Sequence, residues 1–235
     1  MGRRFGAVVA LWLLLAGCSS LPLGARTATC DYVDFIRLGG VTYEVADHGV
    51  GRAVGRRDLD AVFARVTANP PATDCRAYSP RDGDAAFLAP AAPVYMVKGY
   101  RPGFRLAASH RGRLRMYEAS EAAGARVGGD LLDLAGKVRY LSVNSGRVEL
   151  ARINGQAQVG DLVRRVLAAP VGPTHASAES RSCAVVFNMA DRTAVRRIFF
   201  PTTGELVPGI LAPREFTEAV EGALAAREQT CGRGP

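Results

Sequence analysis

Short apolar runs separated by turn residues dominate the chain up to about residue 153. Most of these runs hold four to eight residues, which is the length of strands, and Gly, Pro or polar residues separate them. Such spacing predicts antiparallel sheet rather than alternating strand and helix. The predicted strands span residues 31–38, 41–46, 61–67, 85–88, 94–98, 104–109, 113–118, 137–144 and 147–153.

Two later segments have helical periodicity instead. In residues 159–169 and 213–228 the apolar positions recur three and four residues apart, which places them on one helix face. Residues 182–190 and 193–200 between them are predicted strands. Residues 137–226 therefore run hairpin, helix, hairpin, helix. The predicted fold class is α+β, mainly antiparallel β strands and hairpins, with two amphipathic helices in the C-terminal half.

The N-terminus is predicted to be a targeting signal. Arg3 and Arg4 precede an uncharged apolar run over residues 7–16, which is too short to span a bilayer. The tetrapeptide from Leu15 to Cys18, Leu-Ala-Gly-Cys, resembles the lipobox of bacterial lipoprotein precursors. That resemblance implies cleavage before Cys18 and a diacylglyceryl group on its thiol, hence an extracytoplasmic protein held at the outer face of the cell membrane. An ordinary secretory signal or an uncleaved anchor is the alternative.

The expected organisation follows from this signal. Residues 1–17 are the signal peptide, 18–29 a flexible tether, and 30–235 a single exported α+β domain, with a subdivision most easily placed near 120–136. Segments 83–118 and 129–170 resemble stretches of actinobacterial lipoproteins that carry no assigned activity. The most characteristic runs are residues 83–88, 94–100 and 130–133. The resemblance implies a location and no mechanism.

Cysteine usage agrees with export. Without Cys18 four cysteines remain, and an even number in an exported chain predicts disulfides. Proximity along the chain favours Cys30–Cys75 and Cys183–Cys231, although four cysteines allow three connectivities and free buried thiols are the alternative. Each bridge would close a loop of roughly 45–50 residues, worth on the order of 4 kcal/mol.

The charge of the chain and its lack of catalytic motifs limit the kinds of site that it is expected to contain. The chain has 30 Lys and Arg against 22 Asp and Glu, a net charge of +8. This basic bias need not reflect function, and an exported protein is not expected to bind nucleic acid. The sequence has no serine-hydrolase elbow, zinc-protease motif or phosphate-binding loop, and its three histidines lie in predicted loops. No catalytic residue, metal site or cofactor is predicted.

One hairpin carries a candidate site. In residues 104–118 a three-residue loop, His110 to Gly112, would place four polar side chains together on one face. The candidate anion-binding residues are Arg105, Arg113, Arg115 and Tyr117, beside Arg111. A solvated strand face is the alternative reading of the same pattern.

The predicted function is therefore a membrane-anchored, non-catalytic binding module for an anionic envelope component or a protein partner. The alternative is an envelope hydrolase whose site is assembled from dispersed residues.

Overall fold

The computed structural model describes residues 30–46, 49–73, 75–173 and 180–233. The predicted signal peptide, the lipidation site Cys18 and the tether lie outside the described residues. So do His48 and His175.

The N-terminal half forms a six-stranded antiparallel sheet, the first sheet, in the order β1-β2-β6-β5-β4-β3. Tight turns at Gly39-Gly40 and Arg111-Gly112 join neighbouring strands, and all four residues have positive φ. Its strands are β1 (Phe35–Leu38), β2 (Val41–Val45), β3 (Leu59–Arg65), β4 (Pro93–Val97), β5 (Arg105–His110) and β6 (Arg113–Ala122).

The C-terminal half forms a seven-stranded antiparallel sheet, the second sheet, in the order β12-β11-β10-β9-β7-β8, with β13 also paired to β9. The strand at residues 194–200 alternates buried and half-buried positions, as the pleat of a half-covered sheet requires, whereas the strands at residues 181–189 and 138–145 contain unbroken runs of buried residues. Its strands are β7 (Val138–Ser145), β8 (Val148–Ile153), β9 (Arg181–Met189), β10 (Ala194–Phe200), β11 (Glu205–Leu206), β12 (Ile210–Leu211) and β13 (Gly232–Arg233).

Three helices occur among the described residues: α1 (Gly128–Leu131), α2 (Gln156–Ala168) and α3 (Arg214–Ala225). Helices α2 and α3 bury the apolar stripes that their periodicity predicted, through Val159, Leu162, Val163 and Val166 in one and Phe216, Val220 and Leu224 in the other. No helix in the described part is long and apolar enough to cross a membrane. The α+β prediction with mainly antiparallel strands is confirmed. Helix α1 and the short β11–β12 hairpin, which precedes α3, were not predicted.

Residues 85–88 are not the predicted strand. Ala85 makes a single bridge to Ile36, and the side-chain amide of Asn69 donates to the carbonyls of both Ala85 and Leu88 at 2.6 and 2.7 Å. Backbone hydrogen bonds join residues 83, 84 and 86 to β1, but residues 87 and 88 make none there, so no regular ladder forms. The segment therefore packs against β1 as an irregular stretch of chain, with Leu88 buried.

One hydrophobic cluster includes residues from both sheets and from the helices, such as Leu106, Val185 and Phe216. The chain passes from the first sheet to the second between Ala122 and Val138, where the sequence suggested a subdivision near 120–136. The hydrophobic core is therefore continuous across that passage.

Both predicted disulfides are formed. Cys30 is bonded to Cys75 and Cys183 to Cys231, with Cα–Cα separations of 5.6 and 5.0 Å. The first bridge holds the start of the described chain to the loop before β4. The second ties β9 to the C-terminal segment that carries β13.

Candidate functional site

The β5–β6 hairpin turns through two residues rather than the predicted three. His110 pairs with Arg113, and the turn residues Arg111 and Gly112 have φ values of 50° and 76°. Two positive φ values define the type I′ turn, whose twist matches that of the strands it joins. Glycine adopts this conformation freely, whereas arginine does so at a cost. Arg-Gly is not among the usual turn pairs, which is why the sequence pattern favoured a longer loop.

This change of register overturns the predicted cluster of basic residues. Arg105 pairs with Glu118, not with Tyr117, and so shares a face with Glu118. Arg113, Arg115 and Tyr117 lie on the opposite face, since alternate residues of a strand share a side. The prediction that Arg105 converges with the other arginines is therefore wrong.

Arg105 instead belongs to a buried ionic cluster between the two sheets. Its side chain is fully buried, and its Nε and Nη2 donate to one carboxylate oxygen of Glu118 at 2.9 and 2.6 Å. Its remaining donors reach the hydroxyl of Thr193 and the carbonyl of Ala194 at the start of β10. Arg197 of β10 donates to the other oxygen of Glu118 at 2.7 Å. This cluster joins the sheets and has no exposed surface at Arg105 with which to bind a ligand.

The electrostatics of the cluster are unbalanced. Burial alone would raise the pKa of Glu118, but the Arg105 and Arg197 guanidinium groups lower it below its usual range, so the carboxylate is ionised. Two guanidinium groups share this one carboxylate. Nε and Nη2 of Arg197 are buried and have no hydrogen-bond partner among the described residues. The buried cluster therefore carries an excess positive charge.

Arg115 and Tyr117 both make hydrogen bonds to Asp34. Arg115 donates to one carboxylate oxygen at 2.7 Å and the Tyr117 hydroxyl to the other at 3.2 Å. Burial, and then the Asp34 carboxylate, raise the pKa of Tyr117 well above its usual value, so it remains a protonated donor. Of the four predicted anion-binding residues, Arg113 alone has no ion pair within the described part of the chain.

A cavity of about 330 Å³ lies beside the hairpin tip, where β2 ends and leaves the first residues of β6 without a neighbouring strand on that side. The segment at residues 49–54 and the first residues of β10 form its other walls. The cationic side chains lining it are Arg52, Arg111, Arg113 and Arg115, with His110 beside them, and its described lining includes no Asp or Glu. We call this the tip cavity.

Arg52 fixes one wall of the tip cavity. Its guanidinium makes two bonds to Asp58, at 2.6 and 3.0 Å, and its Nε donates to the carbonyl of Asp191 at 2.7 Å. The hydrogen bond with Asp58 raises the pKa of Arg52. Gly51 has a φ of +69°, and a Cβ there would lie 2.7 Å from the backbone nitrogen of Ala194. The glycine thus allows the segment to pack against β10, and the Arg52 charge is already compensated.

Arg111 and Arg113 are different. Both are exposed, and neither has an ion-pair or hydrogen-bond partner among the described residues. Both guanidinium groups therefore keep their donors available to a ligand, and both residues line the tip cavity. Arg111 was expected beside the predicted site, whereas Arg52 was missed, because it reaches the cavity from a separate segment that leaves no pattern in the hairpin.

His110 does not form a catalytic pair. Its Nδ1 lies 3.9 Å from the Asp34 carboxylate, beyond hydrogen-bond distance, and its ring stacks on Phe87 at 6.1 Å. The nearby Thr193 hydroxyl donates to Asp191 at 2.7 Å and accepts from Arg105. The described residues contain no group of three or more potential metal ligands.

A second cavity, of about 390 Å³, lies between β2, β6 and β10. Its charged lining residues are of both signs: Glu44, Glu118 and Glu121 against Arg196 and Arg197. The tip cavity, whose described lining residues carry charges of one sign, is therefore the stronger candidate for an anion.

Comparison of the chain with protein-family models, with curated proteins and with solved structures finds no match in any of the three. The functional argument accordingly rests on the sequence and on the geometry of the tip cavity.

Proposed function

We propose that this chain is a membrane-anchored extracytoplasmic lipoprotein, attached through a lipid on Cys18, whose domain binds an anionic ligand in the tip cavity. The anchoring is supported by the charged start, the apolar run and the lipobox of the sequence. The two disulfides agree with an oxidising compartment. In this account the C-terminal half, a hairpin, helix, hairpin, helix scaffold, holds β10 against the cavity.

The observation that carries the proposal is the pair of uncompensated arginines. Arg52 and Arg115 have carboxylate partners close by, whereas Arg111 and Arg113 have none in the described part of the chain. Like charges held at one cavity repel one another, and a bound anion removes that repulsion. The site therefore favours a ligand with at least one negative charge.

The ligand chemistry follows from the donors. A guanidinium is planar and can donate two parallel hydrogen bonds to a phosphate or carboxylate. A volume of about 330 Å³ is at the small end of ligand sites, enough for a phosphodiester with short polyol arms. A phosphodiester of the cell envelope, either a lipid head group or a wall polymer, is the ligand class that fits.

Anchoring is tested by the substitution Cys18→Ala in the full-length chain, produced in a host that processes lipoproteins. The variant should leave the detergent-extractable membrane fraction, and mass spectrometry of the parent should find a diacylglyceryl group on Cys18. Unchanged detergent-dependent membrane association of the variant would contradict the anchor.

Ligand binding is tested separately by ligand-observed NMR titration with glycerophosphoglycerol, using the lipidated chain in a neutral detergent. A charge-assisted hydrogen bond is worth about 1.5–3 kcal/mol, so the double variant Arg111→Asn, Arg113→Ser should bind at least about tenfold more weakly. The matched control is Arg227→Ser. Arg227 is exposed and lies between α3 and β13. Strand β13 pairs with the start of β9, whereas the turn after the end of β9 leads to Thr193 and Ala194 at the tip cavity. Equal affinity of the double variant and the parent would refute the site.

A further inference from the structure

Two exposed apolar side chains flank the hairpin tip. Phe87 is 48% exposed and stacks on His110, and Val33 is 62% exposed and immediately precedes Asp34, the partner of Arg115. The two segments that carry them are hydrogen-bonded to each other, because the amide of Ala86 donates to the carbonyl of Phe35 at 3.0 Å. Both apolar groups are therefore held beside the same tip that exposes Arg111 and Arg113.

The chain also enters the domain at this place. Cys30, the first described residue, is tied down by its disulfide and by a hydrogen bond from its amide to the carbonyl of Ala72. Asp34 is the fourth residue after Cys30, which is at most about 14 Å along the chain. The predicted tether of 11 residues, Ser19 to Thr29, extends from Cys30 toward the proposed anchor and reaches at most about 36 Å.

We propose that Val33, Phe87, Arg111 and Arg113 form a docking face for the anionic bilayer to which the chain is anchored. The inference rests on the proposed function and names its ligand as the phosphodiester head groups of that bilayer. Arg111 and Arg113 bind head groups, and Phe87 and Val33 enter the boundary between head groups and acyl chains. Side chains with apolar bodies beside cations are the composition that binds such interfaces.

Because the domain is tethered to the bilayer, a weak contact between the docking face and the head groups is sufficient to keep the face docked. A short flexible linker holds the face at an effective concentration in the millimolar range with respect to its own membrane. Each arginine close to an anionic surface strengthens attachment by about fivefold, and salt screens that contribution over about 10 Å at 0.1 M. Docking should therefore require anionic lipid and weaken at high salt.

The nearest exposed carboxylate along the chain is Asp31, two residues before Val33. Asp34 is already paired with Arg115, so it opposes docking less. Neutralising the exposed carboxylate with Asp31→Asn should therefore strengthen docking by up to about fivefold.

The chain offers a clean reporter for this face. Its one tryptophan, Trp12, lies in the predicted signal peptide. Phe87→Trp thus places a fluorophore on the docking face, and Ala225→Trp places one on the exposed surface of α3 as the matched control. The unsubstituted chain supplies the background from any unprocessed Trp12.

The lipidated variants are reconstituted into vesicles of phosphatidylcholine alone or of an equimolar mixture with phosphatidylglycerol, each containing bromine-labelled acyl chains. The Phe87→Trp emission should shift to the blue and be quenched in the anionic vesicles, and high salt or the added pair Arg111→Asn, Arg113→Ser should reverse both effects. The Ala225→Trp emission should be the same in both vesicles.

Emission of Phe87→Trp that is identical in the two kinds of vesicle would overturn the docking face, as would quenching that survives loss of both arginines. Different results would contradict the proposed function: mass spectrometry that finds no lipid on Cys18, or a glycerophosphoglycerol affinity that is unchanged when both arginines are replaced. Glycerophosphoglycerol binding without bilayer quenching would keep the tip cavity as an anion site and exclude docking to the bilayer.

Discussion

Replacing Glu118 with Gln should be among the most damaging single changes in the domain. Glu118 is 3% exposed and accepts three hydrogen bonds, two from Arg105 and one from Arg197. A glutamine oxygen can still face Arg105. Its amide group would then meet the Arg197 Nη1, donor against donor, across a contact that is now 2.7 Å. Both guanidinium groups would remain buried without an anion.

The magnitude follows from the general cost of an orphaned buried charge. Removing one partner of a buried pair costs about 3–5 kcal/mol, against about 5–15 kcal/mol for the stability of a whole domain. For a domain of this size each kcal/mol lowers Tm by about 2–4 °C. Glu118→Gln should therefore lower Tm by about 6–20 °C with both disulfides intact.

Arg197→Met is the matched comparison. It removes the excess positive charge together with two buried donors that lack partners among the described residues, and it leaves the Arg105–Glu118 pair neutral. The change also removes the 2.7 Å hydrogen bond from Arg197 to Glu118, and a hydrogen bond to a charged group is worth about 1.5–3 kcal/mol. The loss should therefore be about that size and clearly smaller than the loss for Glu118→Gln, because the Arg105–Glu118 pair stays intact. The assay is denaturant unfolding of the parent and both variants. A loss below about 1 kcal/mol for Glu118→Gln, or an equal loss for Arg197→Met, would refute the unbalanced cluster.

Three further predictions concern the same half of the molecule. Arg111→Asn should raise the stability by about 1 kcal/mol in denaturant unfolding, because asparagine tolerates the positive φ of the turn; no gain would show that the turn differs. Gly51→Ala should cost about 2–4 kcal/mol through a clash with the start of β10, whereas Gly49→Ala, with the same sign of φ and no close backbone atom, should cost clearly less in the same assay. The folded pKa of Glu118 is lowered, so its contribution to stability is complete above its unfolded pKa of about 4.3 and is lost as pH falls through the folded value. When unfolding is measured across acid pH, the stability of the parent should therefore approach that of Glu118→Gln. A stability difference between the two that stays constant with pH would contradict this.

The alternation of apolar and polar residues was sufficient to predict most strands and both long helices. It worked where turn chemistry was unambiguous, as at Gly39-Gly40, and where the apolar stripe was wide, as in α2. It failed at residues 85–88, where Asn69, sixteen or more positions away, donates to the carbonyls of Ala85 and Leu88 and holds the segment in an irregular conformation. Side-chain bonds of that range leave no local pattern.

The candidate site was only partly predictable, for a related reason. A one-residue error in the loop moved Arg105 to the wrong face, because a strand repeats every two residues. A signal of the error was present in the sequence: Glu118 stood alone on an otherwise apolar face, and a buried carboxylate requires a cation. The register that pairs Glu118 with Arg105 supplies one. Arg113 kept its predicted exposure beside Arg111, and Arg52 joined them only through folding of the segment at residues 49–54.

The central claim is that the tip cavity holds an anion between Arg111 and Arg113. It is tested most directly by a crystal structure of the protein grown with glycerophosphoglycerol above the Kd found by titration. If the tip cavity binds the anion, density for the phosphodiester should lie within hydrogen-bond distance of both guanidinium groups. An empty tip cavity at saturating ligand, or a phosphodiester bound only elsewhere on the domain, would contradict it.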